Sequence, residues 1–507
     1  MGILTDVLKS CIERGERTAI IDRDRATSYA ELADRSLRLA SLLRSTGVVA
    51  GDRVAFLAPT SSKWHEFVLA TAWIGAVPLT LNWRLTGSEL AGVINHARPT
   101  ALLGDSEMLG TIDASSLLAP PTRLPPDEYE PLLAAQTPAV EPVSLPSSAT
   151  ALQIYTSGTS GRPKGVMLSD EGLSTFLTQN IPLFDLDERS RGLCSLPLFH
   201  VGGAIFALLN LTAGSTSVIP TGSSAEDTAA SISQHGISHF PMVPTMLLTL
   251  VEHAETHDHD LSSVRRIVYG GATITPALLR RTLEAIGPVL LHTYGLTETT
   301  GCVTILQPEE HDPAIPGRLN SCGRVVPWVE LRVADVDGEK ELAVGEVGEV
   351  QVRSQVVMSG YFDDPELTAE AMTSDGFLRT GDLGTLDADG FLAIVGRAKD
   401  LIITGGENVT PSEVEAALTA HPSIAQAVAI GLPDERWGEL VTAVVVLRAD
   451  HSIDFDDLTT FLRDRLAPYK CPKRIEIVTE LPLGTTGKID RVELKRRVTA
   501  TRSDRTR

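Results

Sequence analysis

Ala151 to Gly165 reads ALQIYTSGTSGRPKG: an apolar run, then a loop with three glycines, four Ser and Thr hydroxyls and Lys164. A buried strand feeding a glycine-rich loop is the signature of an α/β sheet with an anion cradle. Glycines let backbone N–H groups turn inward as a nest for phosphate oxygens, and hydroxyls add donors. The loop is not a Walker sequence, because Lys164 is followed by Gly165 instead of Ser or Thr. On its N-terminal side the chain alternates in type. Arg53–Pro59, Val77–Asn82 and Ala101–Gly104 read as strands, with helices at Ser62–Ala76 and Glu89–His96 between them. Such alternation predicts a parallel sheet. Ala119–Ser148 holds eight of the 30 prolines and reads as a surface connection.

On the C-terminal side a second α/β stretch runs to about Gln307. From Gly317 to Ile394, short apolar runs between Gly and Asp turns predict a small antiparallel sheet or barrel. After Gly396 the pattern is α+β. Helices are expected at Pro411–Thr419 and Phe455–Leu466, and strands at Ile424–Gly431, Leu440–Arg448 and Arg474–Val478. The basic tail after Asp490 reads as a frayed, solvated end. The expected fold class is α/β, with two α/β sheets and a small β-barrel in a large N-terminal domain (1–396) and an α+β lid (397–507).

The 507 residues carry 44 Lys and Arg against 65 Asp and Glu, so the net charge is −21. A field of that sign repels polyphosphate backbones and argues against nucleic-acid partners. Five widely spaced cysteines read as reduced thiols of a cytoplasmic protein. No signal peptide or membrane-spanning run is apparent. His253, His257 and His259 have metal-like spacing, but the charged setting reads as a solvated helix end.

Six further segments follow the loop in order: GGA at 270–272, YGLTE at 294–298, GEVQVRSQVVMSGY at 348–361, TGD at 380–382, GRAKD at 396–400 and PLGTTGK at 482–488. Together they resemble the AMP-forming adenylate synthetases: acyl-CoA synthetases, luciferases and peptide-synthetase adenylation domains. The resemblance implies the substrates ATP and coenzyme A, the cofactor Mg²⁺ and a C-terminal lid that rotates near the hinge Lys399. It implies a phosphate loop of Thr156, Ser157, Gly158, Thr159, Ser160, Gly161 and Lys164. Gly270, Gly271, Ala272, Tyr294 and Gly295 would border adenine, and Asp382 and Arg397 the ribose. Glu298 would be the metal carboxylate, Thr297 a donor to the α-phosphate, and Lys488 the cation bridging carboxylate and phosphate. After the hinge, Gly405, Gly406, Glu407 and Trp437 would line the coenzyme A path. His200, Val201, Gly202, Gly203 and Thr293 would surround the acyl group.

Activation of an acid by ATP brings two anions together, so donors and cations must converge in the transition state. Malonate-activating relatives carry an arginine directly before the central tyrosine; Thr293 stands there in this chain. A second carboxylate would lie unpaired in apolar surroundings at a cost of several kcal/mol. The expected substrate is therefore a hydrophobic monocarboxylic acid, with a medium- or long-chain fatty acid preferred. The alternatives are a benzoate- or cinnamate-type acid, or an acyl-AMP ligase that loads a carrier protein. A homodimer is left open.

Overall fold

The computed structural model describes residues 2–124, 126–156, 163–272, 274–336, 338–405, 407–434, 436–449, 451–482 and 489–505. The chain divides into two compact units. The first comprises 1–330 and 352–378, and the second 331–351 and 379–507.

The first unit holds two sheets. In the seven-stranded sheet the spatial order is Gly360–Tyr361, Lys164–Ser169, Thr150–Thr156, Val77–Thr80, Arg53–Leu57, Ala101–Gly104, Thr122–Leu124. The last five pair in parallel, as the strand–helix alternation predicts. Val77–Thr80 and Ala101–Gly104 are buried throughout, the pattern of strands covered on both faces. The nine-stranded sheet carries the second α/β stretch, Arg191 to Val325, and recruits the N-terminal hairpin Thr18–Asp22 and Arg25–Ser28 at one edge.

Ala119–Ser148 is more than a connection. Thr122–Leu124 adds a parallel strand beside Ala101–Gly104, and Pro126–Ala134 is a helix. Its Tyr129 and Leu133 are buried, and the Tyr129 hydroxyl donates to Glu66 at 2.6 Å. Proline density misled the expectation because Pro126 opens the helix, where no N–H partner is needed.

In the second unit, the stretch expected as a small sheet or barrel is a four-stranded sheet ordered Glu330–Ala334, Gly348–Arg353, Leu378–Leu386, Leu392–Arg397. A five-stranded sheet follows, built around the long hairpin Ile424–Asp434 and Gly438–Leu447. Alternate residues of this hairpin enter two cores. Ala429, Val441, Ala443 and Val445 pack with the helices Pro411–Thr419 and Phe455–Arg463. Val428, Ile430, Leu432 and Val444 pack with Leu494 and Val498. The basic tail is thus not a frayed end: Arg491–Arg505 is a helix, and its (i, i+4) pair Leu494 and Val498 covers the second face of the sheet. Among the described residues no helix is long and apolar enough to cross a membrane. All five cysteines are buried and outside any disulfide.

Candidate active site

The glycine-rich loop springs from the antiparallel pair Thr150–Thr156 and Lys164–Ser169, in which Thr156 lies opposite Lys164. The intervening Ser157, Gly158, Thr159, Ser160 and Gly161 lie outside the described residues. Tyr155, just before the loop, shares a 2.6 Å hydrogen bond between its hydroxyl and His96 Nδ1.

Tyr294 and Gly295 end the strand Leu290–Leu296 at a bulge against Gly301–Leu306. A Cβ at Gly295 would lie 1.8 Å from the Gly301 carbonyl oxygen, so only glycine admits this crossing. The chain then makes a single 3₁₀ turn, Thr297–Thr299, that presents Glu298, and leaves it through Thr300 at φ 58°. Gly270, at the end of the neighbouring strand, pairs with Thr293; Gly271 and Ala272 beyond it are exposed.

Glu298 is gripped from a second segment. Its carbonyl accepts the Met358 N–H at 2.8 Å, and its Oε1 accepts the Tyr361 hydroxyl at 2.9 Å. Burial, reinforced by the Glu298 carboxylate, pushes the Tyr361 hydroxyl far above the usual phenol range, so it remains a donor at any physiological pH. Lys164 Nζ stands 5.1 Å from the centroid of the same ring. Sequence reasoning quoted Tyr361 only as the end of a matched block. Its place directly after a Ser-Gly pair gave no sign of contact with residue 298.

His200 precedes the helix Val201–Ala213 and lies against Phe199, ring centroids 5.6 Å apart; Phe199 in turn meets Trp83 edge-on at 6.4 Å. Val201 is half-buried and Gly202 is exposed. Gly203 serves a different end from pocket volume: a Cβ there would meet the Pro197 carbonyl oxygen at 2.3 Å, so it allows the helix to approach the preceding turn. The Thr293 hydroxyl donates to the Tyr269 carbonyl at 3.4 Å.

The second unit carries the other recognised residues. Asp382 and Arg397 face each other across an antiparallel pair, and Arg397 Nε meets Asp382 Oδ1 at 2.6 Å. Lys399 sits in the 3₁₀ turn Ala398–Asp400 that follows. Gly405 donates its N–H to the Trp437 carbonyl at 2.7 Å, and Glu407 begins the strand Glu407–Val409. Trp437 is flanked by cations, with Lys473 Nζ 3.2 Å and Arg436 Cζ 5.0 Å from its ring centroid. Gly406 and Lys488 lie outside the described residues.

His253, His257 and His259 stack instead of converging: the 253 and 257 rings are nearly parallel at 4.1 Å, and the 253 and 259 rings lie at 5.0 Å. Among the described residues no group of three or more His, Cys, Asp or Glu could hold a metal ion. A magnesium ion needs less: one or two carboxylates, with phosphate and water oxygens completing its shell. Glu298 fits that demand. One oxygen is held by a neutral donor, and Oε2 accepts no hydrogen bond from a described residue.

A first unit with two such sheets and a glycine-rich loop, and a second unit with an ion-paired hairpin, are the parts of an adenylate-forming enzyme. The family model of AMP-binding enzymes matches residues 8–362, and that of the AMP-binding enzyme C-terminal domain matches 413–488. The chain belongs to this family of AMP-forming acyl-CoA ligases. It is 36% identical over 497 residues to indoleacetate–CoA ligase of Aromatoleum aromaticum, covering 95% of both chains. It is 34% identical over 485 residues to the fatty acid–[acyl-carrier-protein] ligase ScoC of Streptomyces coeruleorubidus, covering 94% of this chain and 93% of that one. The ATP-bound crystal structure of MatB from Rhodopseudomonas palustris superposes with a TM-score of 0.90 at 29% identity, covering 98% of this chain and 99% of that one.

Proposed function

We propose that the protein condenses a hydrophobic monocarboxylic acid with ATP to an acyl-AMP, releasing pyrophosphate, and transfers the acyl group to coenzyme A with release of AMP. The observation that carries this reading is the Lys164–Tyr361–Glu298 cluster, which sets a cation and a carboxylate at the root of a phosphate-type loop. Lys164 and the loop hydroxyls would bind the triphosphate, and Thr297 the α-phosphate. Asp382 and Arg397 would hold the ribose hydroxyls, and Lys488 would bridge the attacking carboxylate and the phosphate. Mg²⁺, bound through Glu298, would supply positive charge to the triphosphate. Lys399 would be the hinge about which residues 397–507 turn between the two half-reactions, bringing Gly405, Gly406, Glu407 and Trp437 to the thiol path. The cations beside Trp437 suit a phosphorylated co-substrate.

For the acid, Thr293 supplies no positive charge, which supports a neutral tail and leads us to retain a medium- or long-chain fatty acid as the first reading. One observation favours a flat aryl acid as the second. The rings of Phe199 and His200 adjoin at the start of the proposed acyl segment, with Trp83 edge-on to Phe199, and aromatic faces stack on flat ligands. The test is acid-dependent pyrophosphate exchange, then kcat/KM across octanoate, palmitate, benzoate, cinnamate, acetate and malonate. Preference for malonate or acetate would refute the pocket reading; release of ADP would refute AMP-forming chemistry. Lys488→Ala should lose acyl-AMP formation yet make acyl-CoA from supplied acyl-AMP. Lys399→Pro should do the reverse, because proline fixes φ at the hinge. Equal loss of both steps in both variants would refute the rotating lid.

A further inference from the structure

We infer that Tyr361 is a positioning residue that holds Glu298 ready for the metal ion and, by standing between Lys164 and Glu298, keeps these opposite charges from neutralising each other. The inference rests on the reading of Glu298 as the metal carboxylate.

The geometry fixes Tyr361 from two sides. Gly360–Tyr361 pairs antiparallel with Met167 and Val166, on the strand that leaves the phosphate loop. The Tyr361 N–H donates to Thr368 Oγ1 at 2.9 Å, which fixes the segment from the other side. The same segment bonds Glu298 twice, through the Met358 N–H to its carbonyl and the Tyr361 hydroxyl to Oε1. Backbone and carboxylate of residue 298 are therefore referred to one frame, the edge strand of the seven-stranded sheet.

The choice of donor matters. A Lys or Arg at this place would also orient Glu298 but would cancel its charge. A phenol orients it and leaves the full negative charge for a cation. Lys164 meets the face of the same ring instead of the carboxylate, and no ion pair joins Lys164 to Glu298 among the described residues. The face of a phenol attracts a cation far more weakly than a close ion pair between partly buried groups does. Lys164 is thereby kept on the phosphate side with most of its charge unspent.

Two variants separate the two tasks. Tyr361→Phe keeps the ring and removes the hydroxyl. It should weaken Mn²⁺ binding about tenfold, the weight of one hydrogen bond to a charged group, as read by electron paramagnetic resonance titration of free Mn²⁺ in the presence of a non-hydrolysable ATP analogue. The Mg²⁺ concentration that half-saturates pyrophosphate exchange should rise in step, while the analogue's metal-free affinity stays unchanged. Tyr361→Leu removes the ring as well, lets Lys164 reach Glu298, and should weaken both Mn²⁺ and the metal-free analogue. Calorimetric melting of both variants checks that the fold persists, and Glu298→Gln is the reference. If Glu298→Gln leaves Mn²⁺ affinity unchanged, the metal-carboxylate reading itself falls. If Glu298→Gln weakens Mn²⁺ and Tyr361→Phe does not, the role of Tyr361 alone is overturned. If a folded Tyr361→Leu binds the metal-free analogue as the wild type does, the separation of charges is overturned.

Discussion

Two carboxylates carry the recognised motifs, and the two units treat them in opposite ways. Glu298, in the first unit, is half-buried and receives a neutral hydroxyl. Asp382, in the second, is 4% exposed and receives a full guanidinium at 2.6 Å. On the proposed function, the difference matches the charge of what each would bind. A divalent cation needs uncompensated negative charge, so its carboxylate is oriented without being neutralised. Ribose hydroxyls are neutral donors, so a charge-balanced pair can serve them, and burial of Asp382 would be costly without the cation beside it. The contrast is open to four tests.

The largest effect is expected at Glu298. Glu298→Gln keeps the shape and removes the charge, and should lower acyl-AMP formation about 10²- to 10³-fold, as loss of a transition-state charge stabiliser does. Single-turnover measurement at saturating ATP checks it. A loss confined to the KM for ATP would mean that Glu298 binds nucleotide as Asp382 does, and the contrast would dissolve.

The next effect is on stability and belongs to the second unit. Leu494 is buried on the second face of the long hairpin. Leu494→Ala should cost about 2–4 kcal/mol and loosen the terminal helix. Amide hydrogen exchange over 424–447 and 491–498 reads this directly. Unchanged protection would return the tail to a frayed end.

That tail shows where the sequence was legible and where it was not. The parallel strands, the loop stem and the hairpin could be read because each repeats a local rule: alternation with helices, a glycine run after a strand, two apolar runs in succession. The terminal helix could not, since Arg491–Arg505 is mostly charged and its two apolar contacts lie four residues apart. The signal lay elsewhere. Val441 to Leu447 is apolar on both faces apart from Thr442, and a sheet buried on both faces needs a second cover. Residues of the candidate site were legible through motif resemblance. Their partners were not, because Tyr361 reaches Glu298 across 63 residues and no local pattern encodes such a contact.

A smaller change is expected at Asp382. Asp382→Asn keeps an acceptor but breaks the ion pair with Arg397, and should raise the KM for ATP about tenfold, the weight of one charge-assisted hydrogen bond. The Mg²⁺ requirement should not move. A steady-state matrix of ATP against Mg²⁺ separates the two, and a shifted Mg²⁺ requirement would make Asp382 part of the metal side.

The response to acid also distinguishes the two units, and a single histidine's share of it is the smallest effect. His65, His239 and His292 are buried in the first unit; among the described residues the second has only His421, half-buried, and His451, exposed. Burial holds His65 and His239 down to about 4 and His292, with His311 beside it, down to about 3. His292 stacks on Tyr269 at 4.5 Å, and its Nδ1 finds no partner among the described residues. In the unfolded chain each imidazole takes a proton near its ordinary 6.5, whereas in the fold it does so only below about 4 or 3. Between those values the unfolded state binds more protons, so stability must fall as the pH is lowered through that window and recover above it. The slope is about 1.4 kcal/mol per pH unit for each such histidine. Urea unfolding at pH 7.0, 6.0 and 5.0 should therefore show the first unit losing stability with acid while the second holds. Four of the five tryptophans, Trp64, Trp73, Trp83 and Trp328, report on the first unit and Trp437 on the second, so Trp437→Phe isolates the first unit's fluorescence. His292→Gln should flatten the dependence by one histidine's share. If the slope is unchanged in that variant, His292 already carries its proton in the fold, and the acid sensitivity of the first unit has another source.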